Sequence, residues 1–277
     1  MTLRGYDPVR VIELVIVLSL VQGLTEFLPI SSSGHLAMIQ VLWRAPLPGL
    51  LFDALVHLGT LLSILWVFRR RVSLLLAAFR RRDENRHLLW LIILGTIPTA
   101  LLGLLLNPWI ERAFSSLLVV GLGLLCSGGL LLLAARVSAR AGRSHRALEG
   151  MTVRDALLIG LAQGIAILPG ISRSGLTIGV GLLLGLERGL AAEFSFLLAG
   201  PAILGAVALK GWEALQQPGA HAALAGYYLL GTGLAAISGA VAIGLLLRFV
   251  QRGRLAPFAY YCWAVGLGAL LLFSLNR

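Results

Sequence analysis
Charge is scarce in this sequence, and negative charge scarcest: 12 Asp and Glu stand against 23 Lys and Arg in 277 residues. Charged residues make up 13%, against about 25% in soluble domains, which excludes a purely aqueous globule. The only two cysteines, Cys126 and Cys262, both lie inside apolar runs, which argues against a disulfide framework or a cysteine-bound metal. Lysine is all but missing: Lys210 stands alone beside 22 Arg, which reads as codon usage and not as chemistry. Arg4 and Arg10 precede an apolar stretch as in a signal peptide. That stretch contains Glu13, however, and no small-residue cleavage site comes before Gln22 and Glu26, so it is expected to be mature protein.

What is abundant is apolar: 58% of residues, with a mean hydropathy of +0.91. The runs 88–106, 117–135 and 227–247 carry no charge, and each is long enough to cross a hydrocarbon core of about 30 Å as a helix. The net charge of +11 sits in short clusters between such runs, where it orients a membrane protein; nucleic acid is not the expected partner.

An internal repeat organises the chain. A shift of 141 residues lays Gln22–Gly34 (QGLTEFLPISSSG) over Gln163–Gly175 (QGIAILPGISRSG), with Gln22/Gln163, Gly23/Gly164, Ile30/Ile171, Ser31/Ser172, Ser33/Ser174 and Gly34/Gly175 identical. Each copy opens with a stretch broken by Pro and Gly, at Pro29 and at Pro169-Gly170. Broken backbone at membrane depth is tolerated only where it lines a cavity or is buried in protein. Two re-entrant helix–loop–helix hairpins are therefore expected, over 11–43 and 155–187. Three spans follow each: 48–68, 88–107 and 116–135, then 190–209, 226–247 and 257–275. The expectation is one all-α polytopic membrane domain with an inverted-topology repeat, the first copy over 1–140 and the second over 150–277.

An odd number of spans per copy inverts the second copy, and the charges agree. Sixteen basic residues fall on one face (69–71, 80–82, 86, 136, 140, 143, 146, 154, 188, 248, 252 and 254). Six fall on the other: Arg4, Arg10, Arg44, Arg112, Lys210 and Arg277. The richer face is cytoplasmic by the positive-inside rule. The hairpins then enter from opposite sides, and their tips can meet within the bilayer, as broken helices do at many membrane binding sites.

The tips hold the dense polar clusters. Gln22 and Glu26 share a helical face and are followed by Ser31, Ser32, Ser33 and His35. Ser172, Arg173, Ser174 and Thr177 follow Gly170. A charged group at mid-bilayer costs about 2.5–3.5 kcal/mol on the conservative scale. A Glu26–Arg173 pair that merely locks the hairpins together would explain the charges but not the surplus of hydroxyls, imidazole and guanidinium donors. Each Ser-rich turn also opens a helix, presenting free N–H groups to an anion, and the Arg fork matches phosphate oxygens.

The stretches EFLPISSSGH (26–35) and PGISRSGLT (169–177) resemble the two signature motifs of the bacterial undecaprenyl-pyrophosphate phosphatase (bacitracin-resistance) family. The similarity continues through Phe52-Asp53, His57-Leu58-Gly59, the segment 192–198 and the segment 257–261. The resemblance implies hydrolysis of the lipid pyrophosphate to the monophosphate carrier used in cell-wall synthesis, with a divalent cation, Mg²⁺ or Ca²⁺. It implies catalytic roles for Glu26, Ser32, His35 and Arg173, and a metal on Glu26. Gln22, which is Glu in many members, would ligate more weakly as a neutral amide. Ser31, Ser33, Gly34, Gly170, Ser172, Ser174 and Thr177 are expected to bind substrate. The sequence leaves open whether Ser32, with His35 as base, or water attacks phosphorus. The alternative function is a polyprenyl-phosphate flippase or transporter, which needs the anion site but no nucleophile. The expected partners are a polyprenyl pyrophosphate and membrane lipids, with a homodimer left open. The expected location is the bacterial inner membrane, the site opening toward the periplasm.

Other polar residues are less telling. Asp53 and His57 share a face and are either partners of the site or a structural pair. Glu193, near Arg188, is read as packing or capping. Glu13 is placed at the interface, His87 and His145 in solvated loops, and Trp43, Trp66, Trp90 and Trp109 in aromatic belts.

Overall fold
The computed structural model describes residues 8–43, 50–80, 84–114, 116–140, 146–216 and 224–275. Among them the only strand-like feature is a bridge between Arg146 and Leu186. The first hairpin is α1 (Pro8–Phe27) and α2 (Ser32–Trp43), followed by α3 (Leu50–Val67), α4 (Arg69–Ala78), α5 (Glu84–Phe114) and α6 (Leu117–Arg140). The second hairpin is α7 (Val153–Ile165) and α8 (Arg173–Leu183), followed by α9 (Arg188–Gln216), α10 (Ala225–Gln251) and α11 (Ala256–Leu275). The protein is an all-α polytopic membrane protein. Five described helices are long and apolar enough to cross a membrane, or six when α3 and α4, bent by 80°, count as one broken span.

The six expected spans correspond to α3, α5, α6, α9, α10 and α11, and the two broken stretches to the pairs α1/α2 and α7/α8. Short α4 has no counterpart among the expected elements. It begins where Arg69–Arg71 end the apolar run of α3, and Arg69 there lies 5.2 Å over the Trp66 ring.

The hairpins exchange partners. α1 packs along α10, and α7 packs along α5, so each first helix lies against the middle span of the other half. Small residues permit the close approach. A Cβ on Gly160 would come within 1.9 Å of the Gly95 carbonyl oxygen, and one on Gly23 within 2.6 Å of that of Ala235. Large side chains face outward along the spans, with Leu104, Leu229 and Ile237 at 73%, 76% and 69% exposure. Such a belt needs lipid to cover it.

At the basic face, Arg71 of α4 pairs with Glu193 of α9 and donates to Asn85 Oδ1 at 3.2 Å. Glu193 is thus a packing residue as read, but its partner is Arg71; Arg188 instead donates to Ser138 Oγ at 3.2 Å. Arg146 grips Asp155 at the start of α7 with two hydrogen bonds of 2.9 and 3.1 Å, and Thr152 and Asp155 form a capping box. Trp43, Trp66, Trp90 and Trp109 are exposed, and so is Glu13; His87, expected in a solvated loop, lies instead in the first turn of α5 with its Nε2 3.0 Å from the Met151 carbonyl oxygen. Arg4, Arg44, Arg81, Arg82, Arg143, His145 and Arg277 lie outside the described residues, as do the side chains of Arg112 and Arg140.

Candidate active site
Both tips are built by serine caps. Ser31 Oγ accepts from the Gly34 N–H at 3.2 Å, and Ser172 Oγ accepts from the Gly175 N–H at 3.1 Å. Each satisfies one of the orphan donors that open a helix. The turns differ in backbone. Ser31 is left-handed, with φ of 68°, whereas Gly170 carries the positive φ (85°) at the second tip and Ser172 is extended at φ −75°. A Cβ on Gly170 would lie 2.2 Å from the Val120 carbonyl oxygen, so the position demands glycine twice over. Ser127 of α6 clamps this second loop: it accepts from the Ser172 N–H at 2.9 Å and donates to the Gly170 carbonyl at 3.4 Å.

The tips touch. A Cβ on Gly34 would be 3.4 Å from Gly170 Cα, and one on Gly175 would be 3.2 Å from Pro29 Cβ. Ser174 Oγ donates to the Leu28 carbonyl at 3.2 Å. At this junction Arg173 Nη2 donates to Glu26 Oε1 at 2.9 Å, with side-chain exposures of 18% and 9%. On the other carboxylate oxygen, Glu26 Oε2 accepts from Gln22 Nε2 at 3.0 Å and from the Ser32 hydroxyl. Glu26, Ser32, Gln22 and Arg173 therefore form one connected polar network. Nη2 carries the hydrogen bond of the guanidinium among the described residues, which leaves the other edge of the fork for a ligand.

His35 is placed differently from the sequence expectation. Its Nδ1 lies 2.7 Å from the Ser31 carbonyl oxygen and its Nε2 2.8 Å from the Tyr261 hydroxyl of α11. The expected Ser32–His35 pair is not formed: Ser32 donates to Glu26, because the imidazole folds back over the Ser31 carbonyl. Thr177 is buried and bonded to Ser195 Oγ and, at 2.8 Å, to the Arg173 carbonyl. It fixes α8 to α9 and does not face the junction network. Ser31 and Ser33 lie 3.2 Å apart through their hydroxyls, and Ser172 and Ser174 3.4 Å apart.

Asp53 and His57 form a pair, His57 Nδ1 lying 2.7 Å from the Asp53 carbonyl oxygen and 3.5 Å from its Oδ1. Lys210 of α9 joins them through Asp53 Oδ2. Lys210 is thus a structural cation that joins α9 to α3, which the codon-usage reading overlooked; its being the only lysine, at the end of the expected span 190–209, was the available signal. Ser127 was legible in the same way, as a polar residue within the run 117–135. Tyr261 fell within the segment 257–261 that shares the family resemblance, but nothing in the sequence linked it to His35.

For a divalent ion the donors are few but of the right kind. Gln22 Oε1 is buried and has no hydrogen-bond partner, and it belongs to the side chain that contacts Glu26. No group of three or more His, Cys, Asp and Glu exists among the described residues. A carboxylate with one spare amide oxygen suits a hard cation that takes its remaining ligands from substrate phosphates and water.

A family model described as bacitracin resistance protein BacA matches residues 15–268. The chain is 44% identical over 266 residues to an undecaprenyl-diphosphatase of Carboxydothermus hydrogenoformans, covering 95% of this chain and 97% of that protein. It is 44% identical over 256 residues to an undecaprenyl-diphosphatase of Syntrophotalea carbinolica (91% and 95% covered). It is 42% identical over 273 residues to undecaprenyl-diphosphatase 1 of Burkholderia pseudomallei (95% and 97% covered).

Proposed function
The chain belongs to the bacitracin resistance protein BacA family, and from that membership together with the network at the hairpin tips we infer its activity: it is a membrane phosphatase that hydrolyses undecaprenyl pyrophosphate to undecaprenyl phosphate. The observation that carries the reading is a hydroxyl, a carboxylate and a guanidinium joined at Glu26, where two helix N-termini converge. Such a site meets what phosphoryl transfer asks of a protein: positioning, and stabilisation of charge on the transferred group.

The roles follow from the bonds. Arg173 binds the pyrophosphate through the guanidinium edge that Glu26 does not use, and the N–H groups that open α2 and α8 face the phosphoryl oxygens. The Ser32 proton already points at Glu26 Oε2, so Glu26 is the base for the attacking group. In the covalent form of the mechanism Ser32 Oγ attacks the terminal phosphorus and its proton passes to Glu26. The bond to the bridging oxygen breaks, polyprenyl phosphate leaves, and water then releases inorganic phosphate from Ser32. Gln22 Oε1 and Glu26 would hold a divalent cation, Mg²⁺ or Ca²⁺, which when bound neutralises phosphate charge. The rest of the substrate is an apolar chain, which suits a site among lipid-facing helices.

The exchange of partners between α1/α10 and α7/α5 supports an inverted repeat, and the positive-inside rule favours the 69–71 and 252–254 arginines in the cytoplasm, with the site opening toward the periplasmic side of the inner membrane. In a Cys-free background, Arg252→Cys should resist an impermeant thiol reagent in intact cells and label after permeabilisation; labelling in intact cells would overturn the orientation. The activity itself is tested with purified protein and a polyprenyl pyrophosphate. Inorganic phosphate should appear, and a chelator should stop it. Transport without phosphate release would mark a flippase instead.

A further inference from the structure
We propose that His35 is a positioning residue and not the base for Ser32, and that Tyr261 of α11 holds its ring in the orientation that braces the left-handed Ser31 turn. The proposal rests on the phosphatase reading for its kinetic consequences but on bond geometry for its content. The Ser31 carbonyl, 2.7 Å from Nδ1, can only accept, so Nδ1 carries the proton. Nε2 of the neutral ring then holds the lone pair, and the Tyr261 hydroxyl at 2.8 Å donates into it. The two rings lie parallel within 6°, their centroids 5.6 Å apart. Both nitrogens are engaged, and none is left to take the proton of Ser32.

Ser31 explains why a brace is needed. A non-glycine residue in the left-handed region is strained and persists only where its surroundings over-determine it. Here the Ser31 carbonyl receives two donors from one residue, the His35 N–H at 3.3 Å and Nδ1 at 2.7 Å. Its hydroxyl meanwhile caps Gly34. The next residue is Ser32, so the direction in which its hydroxyl points follows from the Ser31 turn. The second tip is a natural control. Ser172 is extended at φ −75°, needs no brace, and has Leu176 where the 141-residue shift would put the histidine.

The test uses two replacements at position 35. Asn at position 35 keeps an N–H close to where Nδ1 stood but cannot act as a base; Ala keeps neither. Removing a general base costs about 10²- to 10⁴-fold, so if His35 were the base, His35→Asn and His35→Ala would be equally poor. With a brace, His35→Asn should retain phosphate release within about tenfold of the native protein. His35→Ala should lose about 10²-fold, the scale of a misplacement near 1 Å, and Tyr261→Phe should lower kcat several-fold with KM unchanged. Nitrogen-15 spectra of His35 in bilayers should show the Nδ1–H tautomer in the native protein, with the unprotonated Nε2 resonance shifted in Tyr261→Phe as its hydrogen bond is lost. Equal loss in His35→Asn and His35→Ala, or an Nε2–H tautomer in the native protein, would overturn the proposal. A native protein that released no phosphate would instead sink the phosphatase reading, and the tautomer would still decide the brace.

Discussion
The first tip sets Ser31 Oγ against the Gly34 N–H at 3.2 Å and against Ser33 Oγ at 3.2 Å; the second sets Ser172 Oγ against the Gly175 N–H at 3.1 Å and against Ser174 Oγ at 3.4 Å. The first serine of each pair caps its helix with the same bond in both halves, so the common task of Ser31 and Ser172 is to open a helix, while Ser174 alone also reaches across to the Leu28 carbonyl. The chemistry lies where the halves diverged. Under the same 141-residue shift Glu26 faces Ile167, Ser32 faces Arg173 and His35 faces Leu176. The carboxylate and hydroxyl come from one copy and the guanidinium from the other. Duplication supplied a scaffold at two places, and divergence made their junction asymmetric enough to bind and attack a phosphate.

That comparison is broken hardest at the divergent positions. Arg173→Ala should remove about 10³-fold or more of phosphate release. Arg173→Lys should lose much of it, because a point charge cannot hold Glu26 and a phosphate with one planar fork. Glu26→Gln should cost as much. Ser32→Ala should cost about 10²- to 10³-fold, whereas Ser33→Ala, a duplicated position, should cost less than about tenfold. Equal losses at Ser32 and Ser33 in kcat/KM would show that divergence does not mark the chemistry. A covalent route further requires a phosphoserine, which rapid quenching with substrate labelled on the terminal phosphate should trap on Ser32.

The duplicated glutamines sharpen the comparison at intermediate scale. Gln22 and Gln163 each leave a buried Oε1 without a partner. Their amide nitrogens differ: Gln22 donates to Glu26, while Gln163 donates to Thr99 Oγ1 at 3.2 Å and the Leu198 carbonyl at 3.3 Å, near Pro201 within α9. Gln22→Leu should therefore raise the Mg²⁺ concentration needed for half-maximal activity about tenfold, and Gln163→Leu should leave that titration unchanged. Identical titrations in both variants would remove Gln22 from the ion.

Much of this was legible in the sequence, for identifiable reasons. Spans announce themselves because uncharged runs of about 20 residues have few alternatives, and the broken hairpins because Pro29 and Pro169-Gly170 interrupt such runs. Glu26 and Arg173 stood out because charge at membrane depth is expensive. What stayed hidden was pairing. Helical spacing brings Ser32 and His35 to one face, yet the left-handed Ser31 turns the imidazole back onto its own carbonyl, and a positive φ at serine has no sequence signature. Tyr261 lies 226 residues from His35, and no local pattern links them. The hydroxyls of Ser31, Ser172 and Thr177 were expected to bind substrate, whereas the structure shows them engaged in caps and in an α8–α9 contact.

The smallest effect is also the cleanest test of what the duplicated serines do. Replacing an N-cap serine by glycine costs only a few tenths of a kcal/mol, and extra freedom in the unfolded chain adds about 0.4–1 kcal/mol of destabilisation. At Ser172, where φ is −75°, both act in the same direction, and Ser172→Gly should lower Tm by a few degrees. At Ser31, where φ is 68°, glycine also removes a left-handed penalty of about 1–2 kcal/mol. Ser31→Gly should therefore leave Tm unchanged or raise it slightly. The carbonyl that His35 holds remains in place in that variant, so phosphate release should stay within several-fold of the native protein. Were Ser31 Oγ a ligand of the substrate, Ser31→Gly would keep its Tm and still lose kcat/KM by the 10-fold or more that one charge-assisted hydrogen bond of about 1.5–3 kcal/mol supplies. Thermal melting in detergent beside phosphate release thus separates a cap from a ligand at one residue. The same two measurements at Ser172 show whether the halves still share a scaffold once their chemistry is set aside.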